Sequence, residues 1–431
     1  MRLTPGPAAS ALLLVISVVP GAAQTGAEAT YYAYVGAESA DLIHRIRLDA
    51  SGVEIDLTTQ VGEMAVETEG PHGLRVSPDG EFLYMTTAHG VPDGKLWKFR
   101  AGPDTLVAEP TLLGNFPATL DLTPDGLYAL VVNFNLHGEM VPSTVSVVYT
   151  PDLVEVDQIA TCVMPHGLRV APDGIFAYSN CMMDDEVVEI DTRTFSVSRR
   201  FSVARGEEGP KENYAVEILT GSTGLTRSGA DRRAGHGGAR EPTCSPTWVQ
   251  PSVSGDRLFV ACNKGNEILV IDRASWQLEG RMATGPGPYN LGVTPDGGVL
   301  ISSLKTAGEV QFFDASSGEE LARVPSTTTV THGVAVTPDS RFVFVSVEGK
   351  GAEPGKVDVY ELEGFTLVGS VAVGQQAGGI AFWKMEDRRI GSQFVRHLPS
   401  SDSPTFTREA VRPPGAPARS LGSRRQLRPR G

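Results

Sequence analysis

A chain of 431 residues with 41% hydrophobic side chains has ample apolar material for a large core, and 51 acidic against 37 basic residues leave it a formal charge of −14. The acidity is unevenly placed: ten arginines and four acids lie from Met385 onward, whereas 26 basic residues face 47 acidic ones between Thr25 and Lys384. Such a body repels nucleic acid and anionic membrane, so no nucleic-acid partner is expected, and no membrane span is expected because nothing after the first segment approaches the ~18 consecutive apolar residues that a membrane helix needs.

In chain order, Met1 to about Ala23 has one Arg, an apolar run from Ala8 to Val19 and small residues Gly21 and Ala23. This is the pattern of a secretory signal over residues 1–23, and it predicts an exported protein, periplasmic or extracellular. YYAYVG from Tyr31 and LIHRIRL from Leu42 then read as second and third strands that lack a first. HGLRVSPDG runs from His72 to Gly80, and a near copy, HGLRVAPDG, runs from His166 to Gly174. Weaker copies are ATLDLTPDG ending at Gly126, YNLGVTPDG ending at Gly297 and HGVAVTPD from His332, with SVSGDRLFVAC around Gly255 as a degenerate turn. The period is roughly 42 to 48 residues, the range of propeller blades. The one long interval, between blades three and four, holds an insertion at 204–242.

Each unit opens with an apolar-rich strand and a Pro-Asp-Gly turn, in which Pro presets φ, Asp bonds nearby backbone and Gly accepts positive φ. A second strand follows, then a third ending in Asp, as in EVVEID, EILVID and EVQFFD, and a variable fourth. Four antiparallel strands make a blade. GIAFW, from Gly379 to Trp383, supplies the first strand missing at the N-terminus, so pairing it with Tyr31–Val35 closes the ring without a free edge. The expected fold is all-β: a seven-bladed propeller over residues 30–384. The basic, Pro-rich stretch 385–431 reads as a passive, disordered extension.

Candidate functional residues gather on one rim. His72, His166 and His332 hold the same repeat position in blades one, three and six, so at about 51° per blade they surround the axis. His89 and His137 follow the second strands of blades one and two on the same rim. Imidazole is a common ligand of copper or zinc, and these five form the candidate metal set, with Glu348 as a carboxylate behind them. The plainer alternative is that each His caps its own strand. The remaining candidate ligand contacts are Asn180, Trp248, Lys264, Tyr289 and Lys305, with Asn133, Asn263 and Asn290 also on the rim. Cys162 with Cys181, and Cys244 with Cys262, occupy matching places in two blades and predict two disulfides in an exported chain. The insertion carries Arg232, Arg233, His236 and Arg240 and reads as disordered or as a lid recognising carboxylate or phosphate.

Units of the form HGL-V-PDG, with second-strand ends LYMTT, FAYSN, LFVAC and FVFVS and third strands ending in V-ID, resemble the YVTN-type repeats of the YncE-like, lactonase-like and cytochrome d1-like propellers over Thr30 to Lys384. The full YVTN tetrapeptide is absent. The resemblance implies a propeller and leaves three functions open, since this fold hosts many activities. One is a monomeric platform binding a protein partner or small molecule at its upper rim and channel mouth. Another is a copper or zinc oxidoreductase, by analogy with nitrous oxide reductase, whose cupredoxin domain this chain lacks. A third is a lactonase-type hydrolase using a rim His, Glu348 and Lys305.

Overall fold

The computed structural model describes residues 29–64, 66–89, 94–214, 216–218, 225–227 and 241–387. The expected signal segment, the tail beyond Asp387, and Arg232, Arg233, His236 and Arg240 lie outside them.

Among the described residues seven antiparallel sheets form the blades, and an eighth, of two strands, pairs Val216–Ile218 with Leu225–Arg227. Blades one to six take their first strands from Pro71–Val76, Pro117–Leu122, Pro165–Val170, Pro246–Pro251, Pro288–Val293 and Thr331–Val336. Blade seven is shared between the termini. Its second to fourth strands are Ala29–Ala37, Leu42–Asp49 and Gly52–Gln60, and its first is Ala377–Asp387. The closing register pairs Ala33 with Phe382, Tyr34 with Ala381 and Val35 with Ile380. The fold is the expected propeller, closed as the composition of its two ends implied.

The turn chemistry is as the repeats suggest. In blade two the Asp125 carboxylate accepts from Thr123 Oγ1 (2.6 Å) and from the Leu127 amide (3.1 Å). Blade five repeats this with Asp296, Thr294 and Gly298. Apolar burial lies between blades rather than at the axis. Tyr178, Val187 and Phe201 of blade three pack on Leu258, Val260 and Trp276 of blade four, and Phe342, Phe344 and Val357 of blade six pack on Tyr31 and Ile46 of blade seven. Both disulfides are present, Cys162–Cys181 and Cys244–Cys262, with Cα separations of 5.8 and 4.4 Å.

Two details depart from a uniform four-stranded blade. The last strand of blade one is split into Thr105–Leu106 and Thr111–Leu112, both paired with Lys95–Arg100. The start of the insertion is ordered: Gly209–Lys211 adds a fifth strand to blade three beside Ser196–Ser202. Lys211 and Tyr214 there reach the buried Glu186, which also faces Arg200 at 3.3 Å. A buried ion pair needs such extra partners to offset its desolvation.

Neighbouring inner strands approach so closely that a side chain on Gly379 would place its Cβ 1.9 Å from the His72 carbonyl oxygen. Ring closure between blades seven and one therefore depends on a bare backbone at this position. Gly379→Ala should destabilise the protein by at least the 1–3 kcal/mol that overpacking costs, read as a lower urea midpoint. A midpoint equal to that of the parent would mean that the closing strand tolerates displacement.

Candidate functional site

The residue before each inner strand lies in the left-handed region: Gly70, Phe116, Met164, Ser245, Gly287, Val330 and Gln376, with φ between 47° and 72°. For the five that are not glycine this conformation costs about 1–2 kcal/mol each, and it is least expected for β-branched Val330. It turns the chain sharply from rim to inner strand. The second residue of every inner strand then stands at the upper end of the axis: His72, Ala118, His166, Thr247, Tyr289, His332 and Gly378, in blade order.

Four of these seven are rings that meet. Ring centroids lie 5.9 Å apart for His72–His332, 6.4 Å for His72–His166, 5.3 Å for His166–Tyr289 and 4.7 Å for Tyr289–His332. His166 is fully committed. Its Nδ1 donates to the Thr247 carbonyl (2.9 Å), so the proton sits there, and its Nε2 accepts the Tyr289 hydroxyl (2.8 Å). Burial, helped by His72 and Lys305, pushes the His166 pKa down to about 3. His332 is held well below the usual imidazole range by burial and then by Lys305, His72 and His166. Its Nδ1 has no hydrogen-bond partner, and its Nε2 lies 3.5 Å from Glu348 Oε1.

Lys305 crosses this group. Its Nζ donates to Glu348 Oε1 (2.8 Å) and stands 4.3 Å from the centroid of the Tyr289 ring. Burial works against the ammonium, but Tyr289, Glu348 and Glu38 raise its pKa above the ordinary value. Tyr289 is itself pushed up by burial, which Lys305 only partly opposes. On the blade-seven side, Glu38 is 4% exposed. Its carboxylate takes His89 Nε2 (2.6 Å) and Gln376 Nε2 (3.0 Å). Burial raises the Glu38 pKa, yet His72, His89 and Lys305 together hold it below the usual range. His89 Nδ1 and His137 Nε2 are 3.1 Å apart, and Phe116 stands edge-on to His72, His89 and His137.

Beneath the rings the channel is narrow. A cavity of about 40 Å³ is lined by His72, His166, Arg169, Trp248, Asn290 and His332 among others. Four buried polar atoms facing this region lack a protein partner: His72 Nδ1, His332 Nδ1, Trp248 Nε1 and Asn290 Oδ1. The space takes a few waters or one small ion; organic ligand pockets are roughly 300–1,000 Å³. Among the described residues no group of three or more His, Cys, Asp and Glu is arranged to hold a metal ion.

The structure thus brings together His72, His166, His332, His89, His137, Tyr289, Lys305 and Glu348. It sets others apart. Asn180 straps two inner strands, accepting from the Gly167 amide (2.8 Å) and donating to the Pro246 carbonyl. Asn133 bonds Thr144 and Ser146 within blade two. Asn263 donates to the Pro288 carbonyl (3.2 Å), and Lys264 pairs with Glu241 at 2.8 Å. Trp248 lies lower in the channel under the Arg169 guanidinium (4.3 Å). Tyr289 and Asn290 are residues of the inner strand, Tyr289 being the blade-five counterpart of the histidines. The prolines at 71, 117, 165, 246 and 288, each opening an inner strand, carry that register in the sequence. Glu38 and Phe116 had no such signal.

No family model and no curated protein matches the chain. Among solved structures, 1604 chains match, a number that marks a common architecture rather than an activity. One is a functionally unknown protein from Desulfotomaculum acetoxidans DSM 771, with 16% identity, a TM-score of 0.55, and coverage of 82% of this chain and 98% of that one. The likeness concerns the fold.

The depressed pKa values of His166 and His332 couple the mouth to pH. Free imidazole takes up its proton near pH 6.5, but in the folded chain His166 does so only at about 3. The unfolded state therefore binds more protons across that window, and stability falls as pH falls through it. Thermal melts from pH 7 to pH 4.5 should show a smaller acid-induced drop for a His166→Gln, His332→Gln double variant than for the parent. Parallel curves would assign the acid sensitivity to other groups.

Proposed function

We propose that this chain is an exported, YVTN/YncE-like propeller that binds a small ligand or partner segment at the upper mouth of its central channel. The observation that carries this reading is the axial ring itself. At two of its seven positions stand Ala118 and Gly378, so the fold does not require large polar side chains there, yet His72, His166, His332 and Tyr289 converge on the axis, where His72 Nδ1 and His332 Nδ1 have no protein partner. Buried polar groups without protein partners are costly, and a bound ligand or water offsets that cost. The N-terminal signal pattern and the two disulfides support export into an oxidising compartment.

The 40 Å³ cavity limits what can enter. An organic ligand would lie across the mouth, over Tyr289, Lys305, Glu348 and Glu38, with only an ion or water below. A hydrolase reading is favoured by one observation: of the three groups a lactonase-type mechanism would use, Lys305 Nζ and His332 Nε2 lie 2.8 and 3.5 Å from the same atom, Glu348 Oε1. The absence of a closed three-residue cage among the described residues weighs against a multinuclear copper oxidoreductase.

Thermal shift of the full chain against short carboxylates, amines, γ- and δ-lactones and divalent cations is the test. A ligand at 100 times its Kd adds about 2.7 kcal/mol of stability. We expect at least one organic class to raise the Tm of the parent and to lose that effect in a Tyr289→Phe, Lys305→Met variant. Lactone turnover lost in the same variant would favour the hydrolase. A panel in which no ligand shifts the parent, or in which the variant responds equally, would overturn the reading.

A further inference from the structure

We propose that His89 and His137 form an open, two-histidine site for one borderline divalent cation, zinc(II) or copper(II), on the rim of the mouth. This rests on the reading of the upper mouth as the binding end, and it assigns the cation to the rim pair rather than to the axial ring.

The first observation is distance. His89 Nδ1 and His137 Nε2, from blades one and two, are 3.1 Å apart. Two nitrogens each about 2.0–2.1 Å from one metal stand about 2.8–3.4 Å apart for bond angles from square to tetrahedral. The second is the state of His89. Its other nitrogen, Nε2, faces Glu38 Oε1 at 2.6 Å, and an ionised carboxylate only accepts. Nε2 therefore carries the hydrogen, and the Nδ1 lone pair is left pointing at His137. A carboxylate behind the imidazole, on the side away from the metal, is the usual support of a metal-bound histidine. Glu38 is suited to that task because it is buried and its second oxygen is fixed by Gln376 at 3.0 Å.

The rings are also held in place. Phe116 lies 5.1 Å from His89 and 5.3 Å from His137, edge-on to both, and it is anchored by its left-handed backbone at the entry to blade two. The His137 amide donates to Asn115 Oδ1 (3.3 Å) and the His89 amide to the Glu69 carbonyl (2.8 Å). His137 is exposed and the His89 side chain is 31% exposed, so a cation arrives from solvent and keeps water in its remaining positions. Those positions are open to a ligand oxygen lying across the mouth. The axial ring is less suited. Both His166 nitrogens are engaged, by Thr247 and Tyr289, and the His332 Nε2 edge faces a carboxylate already paired with the Lys305 ammonium.

The simpler account is a hydrogen-bonded histidine pair that straps two blades, and calorimetry separates the two. Untagged full-length protein, stripped with chelator, is titrated with zinc(II) and with copper(II). We expect one equivalent, at least tenfold weaker in His89→Ala and in His137→Ala, and about tenfold weaker with unchanged stoichiometry in Glu38→Gln, the range known for partners behind a metal ligand. Copper(II) paramagnetic resonance should show two coordinating nitrogens, and one or none in the single variants. Matching melting curves confirm that each variant is folded. Binding lost only in the His166→Gln, His332→Gln variant would overturn the rim site and leave the mouth as the binding end. Absence of cation binding alongside intact organic-ligand shifts would have the same consequence. Silence towards every ligand and cation would remove both readings.

Discussion

Seven inner strands approach one axis so closely that little space is left for side chains between them, and the rest of the molecule is arranged around this crowding. A Cβ on Gly73 would come 2.6 Å from the Ala118 carbonyl oxygen of the next blade, one on Gly167 2.6 Å from that of Thr247, and one on Gly379 1.9 Å from that of His72. The glycine in each repeated His-Gly step is therefore a packing requirement between blades. The residue just before it, at the upper edge of the same strand, escapes the crowding and projects into the mouth. Crowding below and convergence above are two consequences of the same geometry.

That geometry separates stability from chemistry. Apolar burial is spent between the faces of adjacent blades, where Phe201, Trp276, Phe342 and Tyr31 pack, and where sheet twist opens the blades outward from the axis. The upper mouth contributes little to that core. It instead concentrates groups that are expensive to bury, among them the Lys305 ammonium and the Glu38 carboxylate, and it offsets the cost with mutual pairing. Glu348 serves Lys305 and faces His332, and Glu38 serves His89 and Gln376. His166 is neutral because its surroundings exclude the solvent that a charge would need, while Tyr289 and Thr247 occupy both of its nitrogens.

The rim of blades three and four is tied down separately. One disulfide joins Cys162, in the last strand of blade two, to Cys181 at the end of the second strand of blade three, and the other joins Cys244, just before the first strand of blade four, to Cys262 at the end of its second. The ordered start of the insertion extends blade three and closes over Glu186 and Arg200.

The sequence by itself determined the architecture, because its signals are local or periodic. Pro-Asp-Gly turns need only their own backbone geometry, third strands end in Asp at a fixed spacing, and an unmatched strand at each end of the chain implies their pairing. The disulfides belong to this class, since their cysteines lie 19 and 18 residues apart at matching places of the repeat. Five histidines on one rim were legible too, because repeat position places them there. Their relations to one another were decided only in three dimensions. Nothing local says that Tyr289, at the histidine position of blade five, bonds His166, residues 123 apart, or that Glu38 of blade seven supports His89 of blade one. Those contacts depend on the rotation from blade to blade and on the left-handed residues that aim each inner strand, and both are set by the closed ring as a whole rather than by any one repeat.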